Sequence, residues 1–386
     1  MTTPTGTISM SDVNVELGLS SSATISLNDA NVRALAGIPS GTISMNDLRG
    51  KTWQAKYITV TGTSPRLNAW PWTGSGFGTK FSAPASVPGT TVYQSAANNT
   101  STTIAYATAS STLGYLIAYP WSSSGYGTRY AAPSTALPDI TDSASYSADG
   151  AAIVAGFRTT SPYIRAYAWS DSSGFGSAFA APASLPSGDP VYNIGFRKNN
   201  AAVITSSRIS PPVAAYAWSS SGFGTRYTNP AGTGTRYGGV FGTNSSNVTV
   251  AAVANGNTPF VNVWPWSDST GFGTAFSNPS TLASTARFVQ FNPASDVLYL
   301  GSTSTPYVYA YAWNNSSGFG TIYSDPATLP AGIVRTISVA QSQNYVAVSS
   351  DSAPTLAVYA WSGGFGSKVA DPASLPTAGI ASTTFY

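Results

Sequence analysis

The chain has no cysteine, no histidine and a single glutamate, Glu16, among its 386 residues. Without cysteine there are no disulfides, no thiolate nucleophile and no thiolate metal site. Without histidine, the Ser-His-Asp and Cys-His nucleophilic arrangements and the usual zinc sites are excluded as well. A glycosidase needs two carboxylates across its substrate, and Glu16 lies outside the repeats described below, leaving aspartates alone for that task. Charged residues make up 8% of the chain, against about 25% in an average globular protein, so its surface is largely neutral and polar. The net charge is +3 and no basic run exceeds Arg197-Lys198. That is too little to neutralise a series of phosphates, and nucleic acid is not an expected partner. No run of about 18 apolar residues occurs, and Met1 to Leu19 lacks a basic stretch followed by an apolar one. Neither membrane insertion nor a secretory signal is expected.

What is present is repetition. A block of Ala or Val, an aromatic, Ala or Pro, and Trp recurs seven times, ending at Trp72, Trp121, Trp169, Trp218, Trp266, Trp313 and Trp361, at intervals of 47 to 49 residues. Each block is followed by a Ser/Asn/Gly-rich stretch of variable length and then Gly-aromatic-Gly, centred on Phe77, Tyr126, Phe175, Phe223, Phe272, Phe319 and Phe365. A proline stands seven residues beyond each of these aromatics, from Pro84 to Pro372. Length variation confined to a Ser/Gly stretch is what a hairpin loop tolerates. Upstream of the Trp block lie short apolar runs such as 152–157, 297–300 and 345–348, each preceded by another strand-like segment such as 287–291 or 334–339. Four strands in a period near 48 residues match a propeller blade.

The reading is therefore all-β: a seven-bladed β-propeller of four-stranded blades over 53–386. Residues 55–60 match the second strand of a repeat, so the first blade begins without its innermost strand. Residues 379–386 sit where such a strand would start an eighth repeat and are expected to close the ring, which removes exposed sheet edges. The seven tryptophans are read as blade-to-blade packing residues rather than ligand contacts, because both faces of every blade must be buried.

Residues 1–52 carry a shorter repeat, TISMSD at 7–12, TISLND at 24–29 and TISMND at 42–47. Each unit reads as a short extended piece, a cap at Ser11, Asn28 or Asn46, one or two helical turns, and a terminating glycine at Gly18, Gly37 or Gly50. Three such β-then-α units offer little core, which suggests a role in attachment or assembly. This pattern resembles the N-terminal segments of structural and tail-associated proteins of tailed bacteriophages. The repeat W-S-x-S-G-F-G-T-x-Y-x-x-P is similar to propeller repeats of phage and environmental sequences and distantly like WD-type propellers. It lacks the Trp-Asp ending and the Gly-His opening of the latter, so no WD-type partner carries over.

The resemblance implies a virion structural protein, a tail fibre, decoration or receptor-contacting module, held to other virion proteins through 1–52. It would be assembled in the host cytoplasm and be extracellular after lysis, and a homo-oligomer is compatible with this. The alternative is a carbohydrate-binding lectin that uses several propeller loops together. Its candidate contacts are the turns Ser161 to Tyr163, Thr258 to Phe260 and Thr305 to Tyr307, for which a plain proline turn is the competing explanation. Asp171 and Asp268 read as solvated turn residues. Ser170 to Gly176 departs from the sialidase Asp-box, which would also require a Trp. The turn Asn292 to Asp296 lacks a calcium-loop pattern. The sequence thus assigns no catalytic, cofactor-binding or metal-ligating residue, no cofactor and no enzyme activity, and it leaves ligand-binding residues open. An enzyme reading would require an Asp-Arg-Tyr constellation across the central channel.

Overall fold

The structure, a computed structural model, describes residues 3–16, 22, 24–36, 38, 41–51, 57–73, 75–98, 102–186, 190–209, 212–230, 236–279, 282, 284–340, 344–376 and 382–386. Seven antiparallel sheets follow one another along the chain, and in six of them, blades 2 to 7, the strands run from the channel outward in chain order. Blade 3 is representative, with strands Thr141–Tyr146, Ala152–Phe157, Ile164–Ser170 and Gly174–Ala178. The second strands are buried on both faces, as blades stacked around a ring require; Ala152–Phe157 is buried at all six positions.

Blade 1 closes the ring as the repeat register predicts. Its second strand, Tyr57–Thr61, pairs on one side with Leu67–Pro71 and on the other with the chain's last strand, Thr383–Phe385. Residues 55–56 and 379–381 of the expected strands lie outside the described residues. At the outermost position blade 1 has a single bridge, Trp72 to Phe77, in place of a strand.

Seven apolar clusters hold the ring together, each drawn from two adjacent blades. The seven tryptophans of the repeat are all buried. Each meets the aromatic of its own Gly-aromatic-Gly at 4.8 to 5.2 Å between ring centroids, with planes 85° to 90° apart. That is the edge-to-face geometry the ring quadrupoles prefer, adding about 0.5–1.5 kcal/mol per pair beyond burial. The residue four beyond that aromatic packs on the next blade's tryptophan. Phe81 lies against Trp121, Tyr130 against Trp169 and Phe179 against Trp218. The repeat is a packing signature.

Residues 3–51 form a small unit with α1 (Met10–Glu16), α2 (Ala30–Ala36) and a 3-10 turn (Met45–Leu48). The three isoleucines of the TIS motifs, Ile8, Ile25 and Ile43, pack on buried Val13, Val32, Leu35 and Leu48. Two details differ from expectation. Among the described residues the extended pieces form no β-ladder, so the units are loop-then-helix. Ser9 and Ser44 cap α1 and the 3-10 turn in place of Ser11 and Asn46, and Asp29, next to Asn28, caps α2, its carbonyl accepting from Arg33 N at 2.9 Å. Ser9, Ser26 and Ser44 each donate their backbone N–H to the carboxylate three residues on, at Asp12, Asp29 and Asp47, all at 2.8 Å. This is the reciprocal half of a capping box, with Asp taking the place of Glu. Gly50 has a positive φ of 62°, whereas Gly18 and Gly37 lie outside the described residues. No described helix is long and apolar enough to cross a membrane.

Candidate binding site at the mouth of the central channel

An innermost strand has a partner on one side only, so its inner edge leaves backbone N–H groups facing the channel. Polar side chains from neighbouring blades meet them. The Gln94 Oε1 accepts from Ala144 N at 2.9 Å, Thr336 Oγ1 from Thr383 N at 2.8 Å, and Ser338 Oγ from Phe385 N at 2.8 Å. The Gln94 amide then donates to Asn193 Oδ1 at 3.2 Å, and Asn193 donates to the Gly239 carbonyl at 3.1 Å. This chain links blades 2 to 5 across a polar channel of about 320 Å³.

At one end the channel widens into a recess of about 280 Å³. Its construction repeats from blade to blade. Near the start of the innermost strand of blades 2 to 7, the pairing register skips one residue against the second strand. The residues left over are Tyr93, Asp142, Tyr192, Tyr237, Arg287 and Arg335, and all six line the recess. A bulge removes its residue from the strand's alternation and turns the side chain aside. Here six bulges in succession turn six side chains onto one opening. The corresponding stretch of blade 1 lies outside the described residues.

The ring is charged and aromatic. Arg158, the residue after the second strand of blade 3, places Nε 2.9 and 3.1 Å from the two Asp142 carboxylate oxygens and a terminal nitrogen 2.9 Å from one of them. The Asp142 side chain is only 6% exposed, so this is a partly buried two-point pair, stronger than a surface ion pair. Its hydrogen bonds raise the Arg158 pKa further, and its guanidinium lies 4.7 Å from the Tyr93 ring centre. Arg335 bonds Asp351 at 3.0 Å. Arg287 stacks on Tyr237 at 4.1 Å, and Tyr237 meets Tyr192 at 5.6 Å. Burial pushes the Tyr192 hydroxyl pKa up, keeping it a neutral donor at ordinary pH.

These positions are not singled out by the sequence, although a signal existed: the second residue of the innermost strands of blades 2 to 7, read down the repeats, is Tyr, Asp, Tyr, Tyr, Arg, Arg. The residue types that an enzyme reading would require are present here, with Asp142 engaged by Arg158. The proline turns singled out as contacts join second to third strands, with cis peptides before Pro162, Pro259 and Pro306. Their aromatics Tyr163, Phe260 and Tyr307 are half-buried and pack on the apolar clusters between blades, which favours the plain turn.

Asp171 and Asp268 are exposed turn residues, as expected, but their carboxylates are also engaged. The Asp171 carboxylate accepts from the indole N–H of Trp169 at 2.8 Å, from the Asn98 amide at 2.8 Å and from the Thr102 hydroxyl at 2.6 Å. Asp268 accepts from the Trp266 indole at 2.9 Å and pairs with Arg197 of blade 4. In blade 6 Asn315 takes the same place under Trp313, at 2.6 Å. Each staples its blade to the preceding one, at the end of the ring opposite the recess. Among the described residues no three acidic side chains come close enough to hold a metal ion.

Fold and site together define a seven-bladed β-propeller with a polar channel and an arginine- and tyrosine-rich mouth. Solved structures share the ring. A protein of unknown function from Desulfotomaculum acetoxidans DSM 771 aligns over 86% of this chain and 99% of its own, at 12% identity and a TM-score of 0.62. A Bacteroides uniformis ATCC 8492 protein provisionally named a 6-phosphogluconolactonase aligns over 86% and 100%, at 11% identity and a TM-score of 0.63. A protein from Lactobacillus plantarum aligns over 86% and 99%, at 11% identity and a TM-score of 0.66. At such identities the likeness extends to fold alone. No protein-family model matches the chain, and no curated protein matches it significantly.

Proposed function

We propose that the chain is a structural protein of a tailed-phage virion that binds rather than catalyses. Residues 1–52 attach it to other virion proteins, and the propeller contacts a host-surface receptor or glycan through the mouth of its channel. The observation that carries the contact is the succession of six bulges, each of which gives up a regular ladder position to bring a large polar or aromatic side chain to one recess. Ring closure does not need them, and bulges concentrate beside functional sites. The attachment half rests on the three TIS motifs, which fold as capped helical turns on a core of only a few residues, too little for independent stability without a larger partner. Binding is preferred to turnover because Asp142, the one carboxylate lining the recess among the described residues, is neutralised by a two-point pair and holds no free base.

The test is immunogold electron microscopy on intact virions of the encoding phage, with antibody raised against the full chain. Labelling at one fixed location on every particle is expected. Labelling confined to unassembled protein in the lysate would overturn the virion role, and a glycan-array screen would then decide whether a free lectin remains.

A further inference from the structure

We infer that the recess is a site for a monoanionic saccharide unit, a sugar carrying one oxoanion, seated between Arg287 and Arg335. This deepens the proposal above and rests on the mouth being the contact face.

The charges at the opening decide the class. Arg158 meets Asp142 through Nε and one terminal nitrogen, and Arg335 has Asp351 on one terminal nitrogen. Arg287 is different. Among the described residues no carboxylate or carbonyl meets its guanidinium, whose only close partner is the Tyr237 ring. The Nε atoms of Arg287 and Arg335 are both buried and both lack an acceptor. An uncompensated, half-buried cation beside donors without acceptors is a costly arrangement for an empty pocket. A single oxoanion supplies what is missing, since the guanidinium fork matches planar oxoanions. One negative charge suffices for the lining guanidiniums, because Arg158 and Arg335 already have carboxylate partners, while Arg208, beside Tyr192, is an exposed cation outside the lining.

The remainder of the wall is suited to hydroxyl groups. Gln94, Thr336 and Asp142 line the same recess beside the Tyr192 and Tyr237 rings, each already holding a protein partner and offering a sugar hydroxyl only its spare amide hydrogen or lone pairs. A volume of about 280 Å³ limits the occupant to one small unit. Neutral sugars leave Arg287 unmatched.

The full-length protein is titrated calorimetrically with glucuronate, glucose 6-sulfate and glucose at low salt, each charged sugar carrying one negative charge. At least one charged sugar is expected to bind, and which one distinguishes a carboxylate from a sulfate source; glucose is expected to be at least about tenfold weaker. Arg287→Gln should lose about tenfold or more in affinity, Arg287→Lys should lose less because it keeps the charge but not the fork, and Lys198→Gln on the opposite face should lose nothing. A thermal melt of each variant establishes that the ring is folded. Binding of glucose as tight as that of the charged sugars, an unaffected Arg287→Gln, or no binding of either charged sugar would overturn the inference. None of these results touches the virion role, which particle labelling decides separately.

Discussion

At Gly174 a single hydrogen atom decides how closely two blades approach. Its φ is +80°, and a Cβ there would stand 2.7 Å from the ring of Tyr130, which itself packs on Trp169 at 5.1 Å. Backbone strain and overlap act together, so Gly174→Ala should cost about 1–3 kcal/mol in urea denaturation. Gly89→Ala, with nothing within 4 Å of the new methyl, should cost under about 0.5 kcal/mol. Equal losses would refute the close approach. Asp171→Ala should cost about 1–2 kcal/mol by leaving the Trp169 indole N–H without its acceptor and removing one acceptor of the Asn98 amide, which keeps the Thr102 hydroxyl. Asp171→Asn should cost less, because Asn315 already performs that role in blade 6. A sequence reading takes Asp171 for a solvated turn because its polar neighbours in the chain explain nothing. Its partner Asn98 stands 73 residues upstream, and only the closed ring brings the two together.

At the scale of single elements, the closing strand carries the clearest test. Phe385 packs on Trp72 at 5.2 Å and its backbone pairs with Ile58. Phe385→Ala should therefore destabilise by about 3–5 kcal/mol. Removing residues 377–386 should go further and expose the Tyr57–Thr61 edge, giving soluble aggregates on size-exclusion chromatography. An unchanged monomer would refute closure by this strand. This closure was legible from the repeat register alone, since a missing first strand and a surplus last one fit each other. The bulges were not, because a skip in pairing depends on two strands at once and changes no residue type. The capping boxes add a pH prediction. Asp12 and Asp47 have pKa values lowered below 3.8, chiefly by the side chains of Ser9 and Ser44. A lowered value in the folded state means that the caps stabilise fully above pH 3.8 and lose that effect as pH falls through the folded pKa. Helical circular dichroism of the full chain, compared with that of Asp12→Asn/Asp47→Asn, should converge below that range and differ above it.

For the whole molecule, the absent residue types determine the pH response. With no histidine and no cysteine, no ordinary side chain titrates between about pH 5 and pH 9, so the urea midpoint should be flat across that interval. The limit comes from the tyrosines that fill the ring. Burial raises Tyr119 and Tyr386 to about 12 and carries Tyr57, Tyr106 and Tyr146 well above 10.0. For a phenol whose pKa is higher folded than unfolded, the stabilisation is complete below the unfolded value of 10.0 and is lost as pH rises through the folded value. Because the tyrosines lie in clusters shared between adjacent blades, ionising one loosens two blades at once, and the closed ring has no free end from which to fray. Tyrosinate absorbance and loss of β-sheet circular dichroism should therefore rise together in one transition above pH 10. Full ionisation near pH 10 with the sheet intact would show the phenols to be accessible, and a fall in the urea midpoint between pH 6 and 8 would refute the flat response by showing an acid or base shifted into that interval.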